Sequence, residues 1–337
     1  MNSPLISIII PMYNSEKYIQ ETVYSITKQN FSNYEIILID NNSVDNTLII
    51  AEELANNNDR IEVYKCKKQG PSAARNMGIK YSKGEYIYFI DSDDYLLDYS
   101  LKTLEEIIYD YLPEMIIFGF SIDGKNNKIN TTFKIKEGHY NSKDSRKFLE
   151  KMVRSNTKFN VPSYLFIRLI KRSIIIDNDL FFDENVYRSE DFQFLVKVHY
   201  YINDMYVMYS KKFSVYRQVH SSITHTYTEN YWDVVKEIFK DLIRFSVDKK
   251  DILLKEDLSY KFYVYAYLAC ENIIFSVKEF KQKKKLLKNI IVDSFMKEMN
   301  ELTNISKGFR TIGISYLILR SNFYLIIYLY IKLKEKL

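Results

Sequence analysis

Between residues 5 and 94, apolar runs of strand type alternate with segments of helical pattern, and each strand run ends in polar residues. Residues 5–10 form a continuous run rich in β-branched side chains, as in a strand buried on both faces. Pro11 ends that run, and Asn14 with Ser15 offers an N-cap for a helix reaching to about Gln29. Residues 35–39 repeat the strand signal, with Asp40 at the carboxyl end. Residues 43–47 open a second helix, and 61–64 supply a third short strand. Gln69-Gly70-Pro71-Ser72 reads as a turn into a helix, because proline suits the first helical turn. Lys83-Gly84 stops that helix after Tyr81. Residues 85–90 are the fourth strand, and Asp91-Ser92-Asp93-Asp94 follows at once. This alternation predicts an α/β fold, a parallel and doubly wound sheet.

Ligands of such sheets bind outside the carboxyl ends of the strands. Tyr13-Asn14, Asp40 with Asn41 and Asn42, and the run from Asp91 to Asp94 all fall there. Each alone also reads as a loop residue or a helix cap. Three on one sheet edge describe a cleft. Neither a Gly-x-Gly-x-x-Gly turn nor a Gly-x-x-x-x-Gly-Lys-Ser/Thr loop is present, which excludes the usual dinucleotide and P-loop sites. Carboxylates two residues apart after a buried strand, Asp91 and Asp93, suit Mn²⁺ or Mg²⁺ shared with substrate phosphate oxygens. Arg75 adds a fixed cation that recognises phosphate or orders a carboxylate. The implied ligand is a metal-complexed nucleoside diphosphate.

A chain of 337 residues leaves room for about two domains, and its 47% hydrophobic content excludes intrinsic disorder. Cys66 and Cys270 stand too far apart in sequence for a disulfide scaffold or a CxxC metal site, and read as reduced thiols. A net charge of +5 is too mild to imply nucleic acid. Lys278, Lys281, Lys283, Lys284, Lys285 and Lys288 cluster on a solvated helix face, with attraction to an anionic membrane as the second reading. The first residues lack a basic segment before their short apolar run, so they read as a strand and not as a leader peptide. Arg320, Ser321 and Asn322 interrupt the apolar tail, so no spanning helix is expected. The expectation is a cytoplasmic protein with an apolar tail, peripheral on the inner face of the cell membrane if that tail binds lipid.

Four stretches carry a resemblance: Ser7-Ile8-Ile9-Ile10-Pro11-Met12-Tyr13-Asn14-Ser15-Glu16, Ile39-Asp40-Asn41-Asn42-Ser43, Gly70-Pro71-Ser72-Ala73-Ala74-Arg75-Asn76 and Phe89-Ile90-Asp91-Ser92-Asp93-Asp94. In this order they resemble the motifs of family 2 glycosyltransferases. Ser189-Glu190-Asp191-Phe192 looks like that family's Glu-Asp motif, and residues 216–224 resemble the segment that closes its catalytic domain.

The resemblance implies a GT-A fold, a mostly parallel sheet with flanking helices, and transfer of one sugar from a UDP-sugar with inversion. By position it places Pro11, Tyr13, Asn14, Glu16 and Asn42 around the nucleoside, with Asp40 on the uracil. It places Asp91, Ser92 and Arg75 by the ribose and diphosphate, Asp93 with Asp91 on the metal, and His220 as a further metal or phosphate contact. Asp191 would be the catalytic base, with Glu190 orienting a substrate. On the residues alone, Asp191 could instead pair with Arg188 and His220 could be a plain surface residue; Arg217 is a second phosphate candidate. Two departures stand out. Asn41 replaces a frequent second Asp, and Pro162-Ser163 occupy a neighbourhood where a Trp often stands. The Gln-x-x-Arg-Trp motif of processive synthases is absent.

The expected organisation is a catalytic domain over 1–225, divided at 95 into nucleotide-binding and acceptor-binding halves, then a helical region over 226–337. Val234, Val235, Ile238, Leu242 and Phe245 form one core stripe there, and Leu258, Phe262, Tyr265, Leu268 and Cys270 a second. The tail over 309–337 suits an interfacial helix or a homodimer contact, and a lipid-linked or surface-glycan acceptor would fit membrane binding. A sugar-nucleotide pyrophosphorylase and an idle nucleotide-sugar-binding scaffold are the competing readings.

Overall fold

The computed structural model describes residues 3–123, 128–130, 135–154, 161–218, 230–303, 319 and 324–334. They group into two compact units, Met1–Leu149 with Phe159–His220, and Glu150–Lys158 with Ser221–Leu337. The first unit opens with β1 (Ile6–Met12), α1 (Ile19–Thr27), β2 (Tyr34–Asp40), α2 (Thr47–Asn56), β3 (Ile61–Lys65), α3 (Pro71–Tyr81) and β4 (Tyr86–Phe89). It continues through β5 (Tyr95–Leu96), α4 (Ser100–Tyr111), β6 (Met115–Asp123), β7 (Lys128–Asn130), β8 (Gly138–Tyr140) and α5 (Ser142–Arg154). After a 3-10 turn at Leu165–Ile167 come β9 (Arg168–Lys171), α6 (Arg172–Asp177), α7 (Glu190–Tyr201) and β10 (Met205–Arg217).

One sheet runs β3-β2-β1-β4-β9-β6-β10-β5, with β7 on β6 and β8 on β10. β1 pairs in parallel with both β2 and β4, and β2 with β3. The sheet is mixed and not all parallel, because β9 runs antiparallel between β4 and β6. The order reverses at β1: the chain steps outward to β3, then returns to place β4 on the other side. That reversal opens a crevice at the carboxyl ends of β1 and β4. Pro11 is tolerated in β1 because the pairing with β4 ends at Ile9↔Phe89, so no ladder bond is asked of it there.

β2 is buried along its length and Ile8, Ile9 and Ile10 of β1 are fully buried, as their apolar runs require. The first helix differs from expectation. It begins at Ile19 without a side-chain cap, not at Asn14-Ser15. Asn14 takes a left-handed φ of 49° and gives its side chain to the next loop, accepting from the Val44 N–H at 2.9 Å. The Ser15 N–H likewise donates to Thr47 Oγ1 at 2.7 Å. The Asn14 side chain is thereby drawn to the second loop and does not cap, while Ser15 is tied there through its backbone N–H.

The second unit is helical: α8 (Tyr231–Asp248), α9 (Ile252–Ser276), α10 (Phe280–Val292), α11 (Ser294–Leu302) and α12 (Tyr324–Lys334). Asp251 and Asp293 cap α9 and α11 by accepting from Leu254 N–H and Phe295 N–H, both at 2.9 Å. Val234, Val235, Ile238 and Leu242 are buried as the stripe predicts, and Phe262 meets Phe239, Trp232 and Phe295. Leu268 is 40% exposed, because the buried face of α9 passes through Ala266, Ala269, Cys270 and Ile273. Cys66 and Cys270 are buried free thiols. Among the described residues no helix is long and apolar enough to cross a membrane.

Candidate active site

The buried face of α3 builds the site. Ser72, Arg75, Asn76 and Ile79 recur at helical spacing and all are buried. Ser72 Oγ donates to the Val186 carbonyl at 2.9 Å. Asn76 Nδ2 donates to the Phe182 carbonyl, and its Oδ1 accepts the Phe182 N–H at 2.8 Å. The loop that leads into α7 is thereby pinned to α3. Ser189, with a left-handed φ of 66°, turns the chain into α7, which delivers Glu190 and Asp191 in its first turn.

Arg75 stands between these carboxylates and the end of β4. Its Nη1 donates to Glu190 Oε1 at 2.8 Å and lies 3.4 Å from Asp191 Oδ1, while Nη2 meets Asp91 Oδ1 at 3.2 Å. Burial opposes the guanidinium's charge, but Asp191, Glu190 and Asp91 together outweigh it and keep Arg75 protonated. Its face also rests 5.5 Å from the Phe182 ring. Of the two uses of Arg75 expected from sequence, the structure displays the ordering of carboxylates. Asp191 Oδ2 accepts the Leu165 N–H at 3.4 Å. Burial raises the Asp191 carboxyl to about 7; Arg75 opposes this, and Glu190 and Asp91 add to it.

Asp40, at the end of β2, is 4% exposed, and its Oδ1 has no hydrogen-bond partner among the described residues. A buried acceptor left open at a sheet edge calls for a ligand donor. Tyr13 is half exposed beside the same crevice. Asn14 and Glu16 are occupied elsewhere: Glu16 Oε2 accepts from both the Asn46 N–H and Asn46 Nδ2 at 3.0 Å, so both residues stitch the first loop to the second. Asn42 is exposed, with a left-handed φ of 64°.

The run from Asp91 to Asp94 divides its duties. Asp94 is buried, its Oδ1 accepting the Arg217 N–H at 2.9 Å and its carbonyl accepting from Thr22 Oγ1 at 2.7 Å, so it anchors the turn. The Ser92 carbonyl also accepts from Thr22 Oγ1, at 2.9 Å. Burial, and next the neighbouring Asp91 charge, raise the Asp93 carboxyl to about 6. Arg217 lies between the rings of Tyr18 and Tyr95, about 5 Å from each, and pairs with Glu21 at 2.9 Å. Among the described residues no three His, Cys, Asp or Glu side chains form a metal cage. Asp91 and Asp93 nevertheless offer hard oxygens on one turn, with Asp91 42% exposed. That donor set fits a Mg²⁺ or Mn²⁺ ion completed by water and diphosphate oxygens. His220 lies outside the described residues.

Asn41 explains one departure from the expected motif. Its Oδ1 accepts the Gly70 N–H at 2.6 Å and its Nδ2 donates to the Lys68 carbonyl at 2.8 Å. An ionised Asp accepts but does not donate, so it could not hold this loop in the same way. The loop ends at Gly70, whose φ of 125° suits glycine, and α3 starts there. Ser72, Asn76, Asn41 and Asp94 all lie in the quoted motifs; sequence reasoning counted Asn41 and Asp94 only among the polar residues of the cleft and gave Ser72 and Asn76 no part in the site.

The fold is that of a GT-A-type glycosyltransferase domain. The profile of glycosyl transferase family 2 matches residues 7–184, and the chain belongs to that family. It is 27% identical over 264 residues to poly(ribitol-phosphate) beta-N-acetylglucosaminyltransferase TarS of Staphylococcus aureus, covering 76% of this chain and 44% of the relative. It is 37% identical over 103 residues to the GalNAc(5)-diNAcBac-PP-undecaprenol beta-1,3-glucosyltransferase of Campylobacter jejuni, covering 30% of this chain and 33% of the relative. The chain thus matches less than half the length of either. The crystal structure of TarS residues 1–349 with UDP-GlcNAc superposes with a TM-score of 0.72 at 22% identity, covering 98% of this chain and 91% of that one. At that identity the likeness shows the fold.

Replacing Asn41 with Asp is expected to destabilise the first unit by about 1 kcal/mol, because a carboxylate oxygen would face the part-buried Lys68 carbonyl where the amide donates to it. Thermal unfolding checks this; an unchanged midpoint would mean that the amide's donor is not needed.

Proposed function

We propose that this chain transfers a single sugar from a UDP-sugar to an acceptor hydroxyl with inversion at the anomeric carbon. The observation that carries this reading is the meeting of Asp91, from the donor-side motif, with Glu190 and Asp191, from the acceptor-side motif, at one buried guanidinium. The open Asp40 oxygen supports a uracil N3–H as its donor. Asp91 would face the ribose and diphosphate, and Asp93 with Asp91 would hold Mn²⁺ or Mg²⁺. When bound, such a cation offsets the charge that grows on the leaving β-phosphate.

In the transfer step the acceptor oxygen bonds to the anomeric carbon as the bond from that carbon to the phosphate oxygen breaks. UDP leaves from the opposite face, and the acceptor proton passes to Asp191. Glu190 shares Arg75 with Asp191 and so keeps the base and the donor turn in register. A general base is worth about 10²–10⁴-fold in rate. The relatives' names support a surface-glycan or lipid-linked acceptor, since one is named for a poly(ribitol-phosphate) and the other for an undecaprenol-linked saccharide.

The test combines binding and transfer. UDP with Mn²⁺, at ~100 times its dissociation constant, is expected to stabilise the protein by about 2.7 kcal/mol, with one UDP-sugar stronger than the rest. Asp191→Asn should keep that binding while transfer falls about 10²–10⁴-fold. In the unsubstituted protein the rate should climb as pH rises through about 7, because the base works only after losing its proton. Unchanged transfer in Asp191→Asn would overturn the base assignment, whereas no stabilisation by any nucleotide or nucleotide sugar would favour an idle scaffold.

The second unit suggests where the enzyme works. Lys281, Lys285 and Lys288 of α10 are exposed, as are Ile326, Leu329 and Leu333 of α12. Basic and apolar residues exposed on one unit support peripheral contact with an anionic membrane. Flotation with anionic liposomes should carry the full chain and leave a chain stopped at residue 307 behind. Equal failure to float would contradict membrane contact, and light scattering of the same samples would separate it from a homodimer formed through the tail.

A further inference from the structure

Behind Asp191 lies a buried cation to which the transfer chemistry assigns no task. Arg168, the first residue of β9, is fully buried. Its Nη2 donates to the Pro162 carbonyl at 2.6 Å, and its Nη1 to the Tyr164 carbonyl. Its Nε donates to His199 Nε2 at 3.2 Å. His199, itself buried on α7, stacks on Phe148 with ring centroids 5.2 Å apart. Burial, reinforced by the Arg168 charge, holds this imidazole well below the usual histidine range, so it is neutral and its Nε2 is free to accept. The guanidinium thus ties residues 162–164 to the same helix that carries Asp191. The next residue, Leu165, is the one whose N–H meets Asp191 Oδ2.

We infer that Arg168 is a positioning residue: with His199 it fixes the 162–164 loop so that the Leu165 N–H holds the Asp191 carboxylate in the orientation that receives the acceptor proton. The inference deepens the transferase reading and rests on it. A lysine could not replace the guanidinium's planar fork, which reaches two carbonyls and an imidazole at once. Tyr164, stacked on Phe166 at 5.6 Å and edge-on to Phe120 at 5.5 Å, holds the loop from its other side.

The geometry offers a variant that removes the bond without disturbing the backbone. Tyr164 has φ −84° and ψ 126°, the extended conformation required before proline, and Leu165 opens the 3-10 turn. Leu165→Pro therefore deletes the N–H where a proline fits. The full-length chain, Asp191→Asn, Leu165→Pro and Arg168→Met would be compared for UDP affinity with Mn²⁺ and for release of UDP from UDP-GlcNAc with water as acceptor. Native-state deuterium exchange over residues 161–167 would be followed in parallel. Leu165→Pro and Arg168→Met are expected to keep the UDP dissociation constant within about threefold and to slow UDP release about tenfold or more, the scale of a hydrogen bond to a charged group. Arg168→Met should also speed exchange over 161–167 while β1 and β2 stay protected.

If Asp191→Asn slows UDP release and Leu165→Pro does not, the positioning role is overturned. If UDP affinity and turnover fall together in Leu165→Pro and Arg168→Met, the role is structural and the inference also fails. Unchanged UDP release in Asp191→Asn overturns the base assignment on which the inference rests, and leaves turnover of the donor in place. Should the unsubstituted chain not hydrolyse UDP-GlcNAc, exchange decides: unaltered exchange at 161–167 in Arg168→Met overturns the inference.

Discussion

The first unit depends on one buried guanidinium. Arg75 is 6% exposed and faces three carboxylates drawn from two distant parts of the chain. Without it, Asp91, Glu190 and Asp191 would repel one another in a partly desolvated pocket. Without them, a buried arginine would stand uncompensated, at a cost of several kcal/mol. Most of α3 serves this arrangement: Asn41 holds the loop that starts the helix, and Ser72 and Asn76 hold the loop that brings Glu190 and Asp191 back. Several residues of the Gly-Pro-Ser-Ala-Ala-Arg-Asn stretch therefore act by bringing chain segments together.

β1, β2 and β4 were legible because they are buried on both faces and read as largely apolar runs, whereas β3 is only partly buried. The polar clusters after β1, β2 and β4 marked the crevice for the same reason: within those strands only Ser7 and Glu35 are strongly polar, and they bond to each other at 2.6 Å. Three things were not legible. The antiparallel insertion of β9 between β4 and β6 depends on pairing between residues far apart in sequence. The late start of α1 goes with bonds that Asn14 and Ser15 make to a loop about thirty residues away in the chain. Arg168 gave no local sign of its burial, since a basic residue at a strand start usually faces water.

Side chains near the crevice sort by whether their polar atoms are already satisfied. Asn14 and Glu16 are satisfied within the protein and act as struts, although sequence position alone would put them among the ligand contacts, while Asp94 is tied through Oδ1 and keeps its Oδ2 without a hydrogen-bond partner among the described residues. Asp40 keeps an open oxygen, Asp93 is left with a raised proton affinity, and Asp191 is held by one long backbone bond and an ion pair. These are the groups whose surroundings leave something for a substrate to complete.

The central claim is that Arg75 joins the donor and acceptor sides into one site. The most direct measurement compares Arg75→Met with the unsubstituted chain for both UDP affinity with Mn²⁺ and the rate of sugar transfer, with native-state exchange over Tyr86–Phe89 and Glu190–Tyr201 as the control for folding. The account predicts weaker UDP binding together with a loss of transfer of about 10²-fold or more, while both segments stay protected. Transfer within tenfold of the original, with UDP affinity unchanged, would contradict it.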